Sequence, residues 1–237
     1  RHDVESRGLG DVYKRQNQDN PVLRPISKNQ LQRLPVYLTF LKEIKDQGEE
    51  FISAQKIAKT LNLSEEQVRK DLALISSIEG IPRLGRKIEV LIQDLEKFLG
   101  YDDTTSAVLV GVGHLGRALL AYRGFQHYGL NILTAFDVDP AIINTEFAGK
   151  KIFDMQKMET LLPRLNVHIG IITVPEEYAQ SVCDRLVQSG VKAIWNFAPV
   201  HLTVEKDIIV QNVNMASSLA ILSHQLKEKE LQKIRRK

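Results

Sequence analysis

The sequence predicts an α/β protein in two parts: a helical N-terminal domain on a helix-turn-helix plan, then a doubly wound parallel sheet closed by a long helix. Three observations predict it. Apolar residues recur at helical spacing up to about residue 99. After residue 105, short apolar runs alternate with amphipathic segments, the pattern of parallel strands buried on both faces. A glycine-rich turn joins the first of those runs to the segment that follows. Hydrophobic residues are 43% and charged residues 26% of the 237, a globular composition that excludes a disordered or fibrous chain.

Residues 1–25 read as a non-native or disordered arm. Residues 1–16 have no apolar period and no initiator Met, and Pro21 and Pro25 keep the chain loose to about residue 30. Leu34, Tyr37, Leu38, Leu41 and Ile44 then define an amphipathic helix ending before Gly48. Ser53 is placed to cap a short second helix with Ile57, Ala58 and Leu61 inward. Leu61-Asn62-Leu63 is a tight turn. Ser64 and Gln67 have capping-box spacing, in which the Gln67 side chain returns to the cap. The helix they open carries Val68, Leu72 and Ile75 on one face, with Arg69 and Lys70 off it. Three helices with a short turn before the third make a helix-turn-helix. Gly80 to Lys87 breaks the helical pattern with Pro82 and Gly85 and brings Arg83, Arg86 and Lys87 together, as a basic wing would. A fourth helix, Glu89 to Leu99, turns Val90, Leu91, Leu95 and Phe98 inward.

Gly100 to Thr104 is the expected boundary. The division is then a DNA-binding domain over 26–100, a sheet domain over 101–215 and a terminal helix with basic tail over 216–237. Strands are expected at Ala107–Val110, Ile132–Phe136, His168–Val174, Lys192–Phe197 and Ile208–Val210, with helices at Gln156–Leu165 and Glu177–Gln188. The last helix runs from Met215 to at least Lys229, apolar first and basic last.

The strongest chemical signal is Gly111-Val112-Gly113-His114-Leu115-Gly116, which follows a strand and opens a helix. Gly111 permits the turn, Gly113 lets the backbone approach a pyrophosphate, and Gly116 allows close helix–strand packing. Asp137, 21 residues after Gly116 at the end of the second strand, is placed to accept both ribose hydroxyls of an adenosine and to repel a 2′-phosphate. This is a Rossmann-like pattern and favours NAD(H). A plain glycine turn, or one serving another nucleotide such as CoA, uses the same residues. Ligands of such sheets lie at the carboxyl ends of the strands. Val174-Pro175, Asn196-Phe197 and Asn214 fall there; Phe197 is placed to pack near a nicotinamide ring, although its periodicity alone favours ordinary core packing.

No catalytic dyad stands out. Among six histidines only His201 lies near the right edge, and the single Cys183 excludes a disulfide framework or a Cys-rich metal site. A dinucleotide site without acid or base points to sensing more than to turnover. The helix-turn-helix supplies the other half: Arg69 and Lys70 in the second turn of the third helix, joined by Ser53, Gln67 and the wing cations Arg83, Arg86 and Lys87, form the expected contact set for double-stranded DNA. Charge is nearly balanced over residues 17–99 and mildly acidic over 100–226, while the last eleven residues carry six cations against two carboxylates. No apolar run approaches the roughly 18 residues that span a bilayer, so a cytoplasmic chain with no membrane contact is expected.

The order of these pieces resembles the Rex family of redox-sensing transcriptional repressors. The resemblance runs from about Ile26 to Leu226. Its motifs are Arg33-Leu34-Pro35 before Tyr37, Gln67-Val68-Arg69-Lys70-Asp71-Leu72, the glycine motif with Gly124-Phe125 after it, Phe136-Asp137-Val138-Asp139-Pro140, and Asn196-Phe197-Ala198-Pro199-Val200. It implies a homodimer of winged-helix and Rossmann domains whose last helix swaps onto the partner, with NADH releasing a palindromic operator and NAD+ permitting binding. It also implies that Tyr122 lies near the nicotinamide. Two stretches depart from the family. Its aromatic, glycine-rich wing is replaced by Leu74 to Lys87, which keeps the cations and loses the aromatics. Where the family has Asn-Val-Asp, this chain has Asn212-Val213-Asn214. A neutral amide cannot favour the positive oxidised nicotinamide as a carboxylate does, so weaker NAD+ binding relative to NADH is expected. The competing readings are an NAD-dependent oxidoreductase and a CoA- or nucleotide-binding module without operator-specific DNA binding.

Overall fold

The structure is a computed structural model that describes residues 26–235. The expectations for residues 1–25 and for the end of the basic tail lie outside the described residues. The chain divides into two compact units between Leu99 and Gly100.

In the first unit, α1 (Lys28–Asp46) begins earlier than the apolar pattern suggests. Ser27 and Gln30 form a full capping box, Ser27 Oγ accepting from the Gln30 amide at 3.3 Å and Gln30 Oε1 accepting from the Ser27 amide at 3.1 Å. The loose arm expected to residue 30 is thus corrected. Ser27, Lys28, Asn29 and Gln30 are polar and carry no apolar period, but their cap is specific. Strand β1 (Phe51–Ile52) precedes α2 (Ala54–Leu61), which Ser53 caps as expected. Leu61 is half-buried, at the edge of the inward face. Asn62, with φ of 54°, turns the chain toward α3 (Glu65–Ile75).

Ser64 Oγ accepts from the Gln67 amide at 3.2 Å, but the expected return bond from the Gln67 side chain is absent, because that side chain lines a cleft beside Arg33 instead. Strand β2 (Arg86–Lys87) pairs antiparallel with β1, and α4 (Ile88–Leu99) follows. The buried stripe of α4 is Ile88, Leu91, Ile92 and Leu95. Val90 and Phe98, expected inward, lie one position off it and are half-buried.

The second unit is a seven-stranded sheet. In chain order its elements are β3 (Thr105–Val110), α5 (His114–Ala121), β4 (Leu130–Asp137), β5 (Glu146–Phe147), β6 (Lys150–Asp154), α6 (Met158–Leu165), β7 (Ile169–Ile172), α7 (Glu176–Gln188), β8 (Ala193–Asn196), β9 (Ile209–Asn212) and α8 (Met215–Arg235). The spatial order is β5-β6-β4-β3-β7-β8-β9. β3 and β7 run parallel, but the order in which successive strands are added reverses at their junction, the switch point where doubly wound sheets bind ligands. One edge is not parallel. Strands β5 and β6 form an antiparallel hairpin around Ala148 and Gly149, both with positive φ. The charged Glu146-Phe147 and Lys150-Lys151 lack the apolar run that marks the inner strands.

Two cores cover the two faces. One gathers Val108, Val110 and Phe136 with Met158, Leu162, Val182 and Leu186. The other holds Ala107, Leu109, Ala135 and Ile171 against Leu120 and Val112.

Candidate functional site

The glycine loop is built as its residue types demand. Gly111 has φ of 96°, and a Cβ there would lie 2.8 Å from Val174 Cγ1 and 3.0 Å from the Thr173 backbone. A Cβ on Gly116 would lie 2.0 Å from the Gly111 carbonyl oxygen, so only glycine lets α5 approach the turn. Gly113 differs: a Cβ there meets nothing within 4 Å. That open seat faces the first amides of α5, which have no intrahelical acceptor and whose dipole favours an anion. Thr173, which sequence reasoning passed over, locks the turn. Its hydroxyl, 2.6 Å from the Gly111 carbonyl and 3.0 Å from that of Val110, donates into them.

Asp137 ends β4 beside this seat. One oxygen accepts from the Val112 amide at 2.5 Å. The other accepts from Val138 at 2.7 Å and Asp139 at 3.0 Å. The carboxylate is therefore held by backbone amides on the rim of a groove of about 320 Å³ lined by Val112, Gly113, His114, Arg117, Asp139 and Ile142. Arg117 is anchored, its Nε donating to the Val112 carbonyl and its guanidinium stacked over Phe147. These residues suit an adenosine diphosphate moiety: open backbone for the pyrophosphate, a carboxylate for the ribose diol, and Ile142 as an apolar wall.

Across the β3/β7 junction, Val174 lies against Gly111 and Pro175 precedes α7 as its N-cap. Asn196 is fully buried, and its side chain is spent inside the protein. Nδ2 reaches the Ala198 and Val200 carbonyls and Asn212 Oδ1, while Oδ1 accepts from the Ala198 amide. It shapes the loop after β8 and leaves no free atom for a ligand. Asn214 caps α8, its Oδ1 accepting from the Ser217 amide at 2.9 Å, and faces a cleft with Phe197, His201 and Met215. Tyr122 is 53% exposed and does not line that cleft. It ends a chain of edge-on and tilted rings, Tyr122–Phe125–Trp195–Phe197, with centroids 4.9, 5.5 and 4.9 Å apart.

In the first unit, Arg69 and Lys70 project from α3 with most of their side chains in solvent. Each is paired one turn back, Arg69 with Glu65 and Lys70 with Glu66. The wing divides its cations. Arg83, with φ of 67°, tips a tight turn closed between Ile81 and Gly85, and Lys87 is exposed. Arg86 is half-buried and donates to Ser76 Oγ and the Ile78 carbonyl, so it anchors the wing instead of standing free beside the other two cations. Ser53 spends its oxygen as acceptor on the Lys56 amide.

Behind α3 lies a residue whose role the sequence did not reveal. The Asp71 carboxylate is 1% exposed and accepts from Arg33 Nε at 2.8 Å, Arg33 Nη2 at 3.0 Å, the Tyr37 hydroxyl at 2.8 Å and Gln30 Nε2 at 3.2 Å. Burial by itself pushes this carboxyl up, but the three donors and the Arg33 charge outweigh it and hold the group below the ordinary carboxylate range. Burial and the same carboxylate push the Tyr37 hydroxyl up to about 12. Among the described residues there is no group of carboxylate, His and Cys ligands suited to a metal, and no helix long and apolar enough to cross a membrane.

The family model described as a putative DNA-binding protein N-terminus matches residues 25–73, and that described as a CoA binding domain matches residues 102–200. Fold and sites together define a two-part transcription regulator, a winged helix-turn-helix joined to a nucleotide-binding sheet. The redox-sensing transcriptional repressor Rex of Bacteroides fragilis is 41% identical over 202 residues, 85% of this chain and 91% of that protein. The chain belongs to the Rex family. The Rex of Treponema denticola is 40% identical, over 84% of this chain and 95% of the relative. Among solved structures, RSP, a Rex-family repressor, superposes with a TM-score of 0.81 at 32% identity, covering 90% of this chain and all of that one. RSP in complex with β-NAD+ and operator DNA matches equally, with a TM-score of 0.81 at 33% identity over 89% of this chain and 96% of that one.

Proposed function

We propose that this chain is a DNA-binding repressor that reads the NADH/NAD+ ratio through the glycine loop and releases a palindromic operator when NADH binds. The observation that carries it is the open seat at Gly113 beside Asp137, in a chain whose other unit exposes Arg69 and Lys70 on a capped recognition helix. Release requires that NADH bind the state that does not bind DNA more tightly than the state that does. The DNA contacts are assigned to Gln67, Arg69 and Lys70 of α3, the Ser53 hydroxyl, Arg83 and Lys87 of the wing, with Arg86 as the wing's anchor. The dinucleotide contacts are assigned to Gly111 through Gly116, Asp137, Val174, Pro175, Phe197, Asn214 and, from the resemblance, Tyr122. Asn196 supports them by shaping its loop.

Self-association runs through α8, where Met215, Leu219, Ile221, Leu222, Leu226 and Leu231 are each about 60% exposed. A stripe of this size asks for cover by a second copy. The protein acts by binding and not by turnover, a reading supported by relatives named as repressors.

The test is a selection of duplexes from a random pool, run with NAD+ and again with NADH. An inverted repeat that NADH releases is expected; no enriched site in either pool refutes the reading. The CoA reading, raised by the name of the family model over 102–200, predicts that CoA displaces NADH. Retention of NADH against excess CoA is expected.

Asn214 carries a separate prediction. Aspartate caps a helix as well as asparagine, so Asn214→Asp leaves α8 intact while adding a negative charge. The ratio of NAD+ to NADH dissociation constants is expected to fall about fivefold, the effect of ~1 kcal/mol between a carboxylate and a cation several ångströms away. Titration of both nucleotides checks it, and an unchanged ratio removes Asn214 from redox discrimination.

A further inference from the structure

On the reading of α3 as the recognition helix, we infer that Glu65 and Glu66 set the specificity of DNA binding by neutralising the recognition cations until bases replace them. Arg69 donates through Nε to Glu65 Oε1 at 2.9 Å and through Nη2 to the same oxygen at 2.5 Å. Lys70 Nζ lies 2.7 Å from Glu66 Oε1. The one other charge on the first two turns of α3, Asp71, is turned inward and matched by Arg33. The outward face of the helix therefore carries two cations and two carboxylates, and no net charge.

A neutral face has a defined consequence. Non-specific binding depends on attraction to phosphates, which grows with each cation that displaces a counterion. Glu65 and Glu66 cancel that attraction at the surface that reaches the groove first. They also hold Arg69 and Lys70 in fixed orientations along the helix, since opposite charges one turn apart are neighbours. Exposed pairs of this kind are weak, so they yield readily to the bidentate hydrogen bonds that base edges offer. Random sequence rarely matches those base edges, so binding to it rests on phosphates, which compete for the same cations with little further to gain. The carboxylates thus lower affinity for random DNA more than for the operator, and the ratio of the two rises.

The experiment compares wild type, Glu65→Gln, Glu66→Gln and the double variant on the selected operator and on a shuffled duplex of equal length, from 0.05 to 0.4 M salt. Glu159→Gln is the control. It removes an equal charge, paired to Arg185, on α6 of the second unit, which carries none of the assigned DNA contacts. Each single α3 variant is expected to bind the shuffled duplex about fivefold tighter at 0.15 M salt, the effect of one further counterion released at a slope of about 0.9, the double variant about 25-fold tighter, and each single variant to gain less than twofold on the operator. Equal gains on both duplexes, no gain on either, a loss on the operator (Glu reading a base), or the same gain from Glu159→Gln each overturns the inference. Failure of wild type to bind any operator refutes instead the reading of α3 on which the inference stands. Circular dichroism of each variant confirms that α3 is retained.

Discussion

Asp71→Ala is expected to lower the stability of the N-terminal unit by about 3 kcal/mol, seen as an earlier unfolding transition in urea, with loss of operator binding at temperatures the wild type tolerates. The carboxylate joins the third helix to the first through four hydrogen bonds from three side chains. Removing one partner of a buried ion pair strands the other, which costs about 3–5 kcal/mol; Arg33 keeps some solvent access, which favours the lower end. NADH binding by the second unit is expected to be unchanged. An unaltered transition would show that the network contributes nothing net.

The same site sets a pH window. Asp71 is held below its ordinary value in the fold, so its contribution is present above the unfolded carboxyl value and is lost as pH falls through the lower folded one. Tyr37 is shifted the other way. Its contribution is full below pH 10 and is lost as pH rises toward about 12. Denaturation followed from pH 7 in both directions is expected to show acid loss that begins as pH falls past the ordinary carboxylate value and continues down through the lower folded one, and Asp71→Asn is expected to flatten that limb.

Gly113→Val is expected to weaken NADH binding on the order of a hundredfold, about 2.7 kcal/mol, with the melting temperature nearly unchanged. The backbone at Gly113 has φ of −70°, which valine adopts freely, and its Cβ has open space. The protein tolerates the side chain, and a pyrophosphate seated there would not. The neighbouring positions behave oppositely. Gly111→Ala strains a left-handed residue and Gly116→Ala drives a methyl into the Gly111 carbonyl, so both lose stability along with affinity. Operator binding by Gly113→Val is expected to persist and to ignore NADH. Wild-type affinity in this variant would place the phosphates elsewhere.

The capped helices and the glycine loop are legible in the sequence because each depends on residues within a few positions of one another. Ser53 caps and Asn62 turns as their residue types prescribe. The glycines of the loop divide into two that are sterically required and one left open, which spacing alone suggests. The hairpin of β5 and β6 is not legible, because its strands are two and five residues long and carry charges where an inner strand carries valine.

What the sequence by itself determined is local: helix periods, caps, the strand–turn–helix of the nucleotide loop, and the order of motifs that marks the family. What only the tertiary structure decided is where each polar group spends its hydrogen bonds. Asn196, by motif and position a ligand contact, is consumed by its own loop. Arg86, by charge a DNA contact, anchors the wing. Asp71 is tied to residues 34 to 41 positions away. Periodicity and propensity report interactions between near neighbours along the chain. A buried polar side chain must find its partners wherever the fold brings them, at any sequence distance, and no local pattern records that choice.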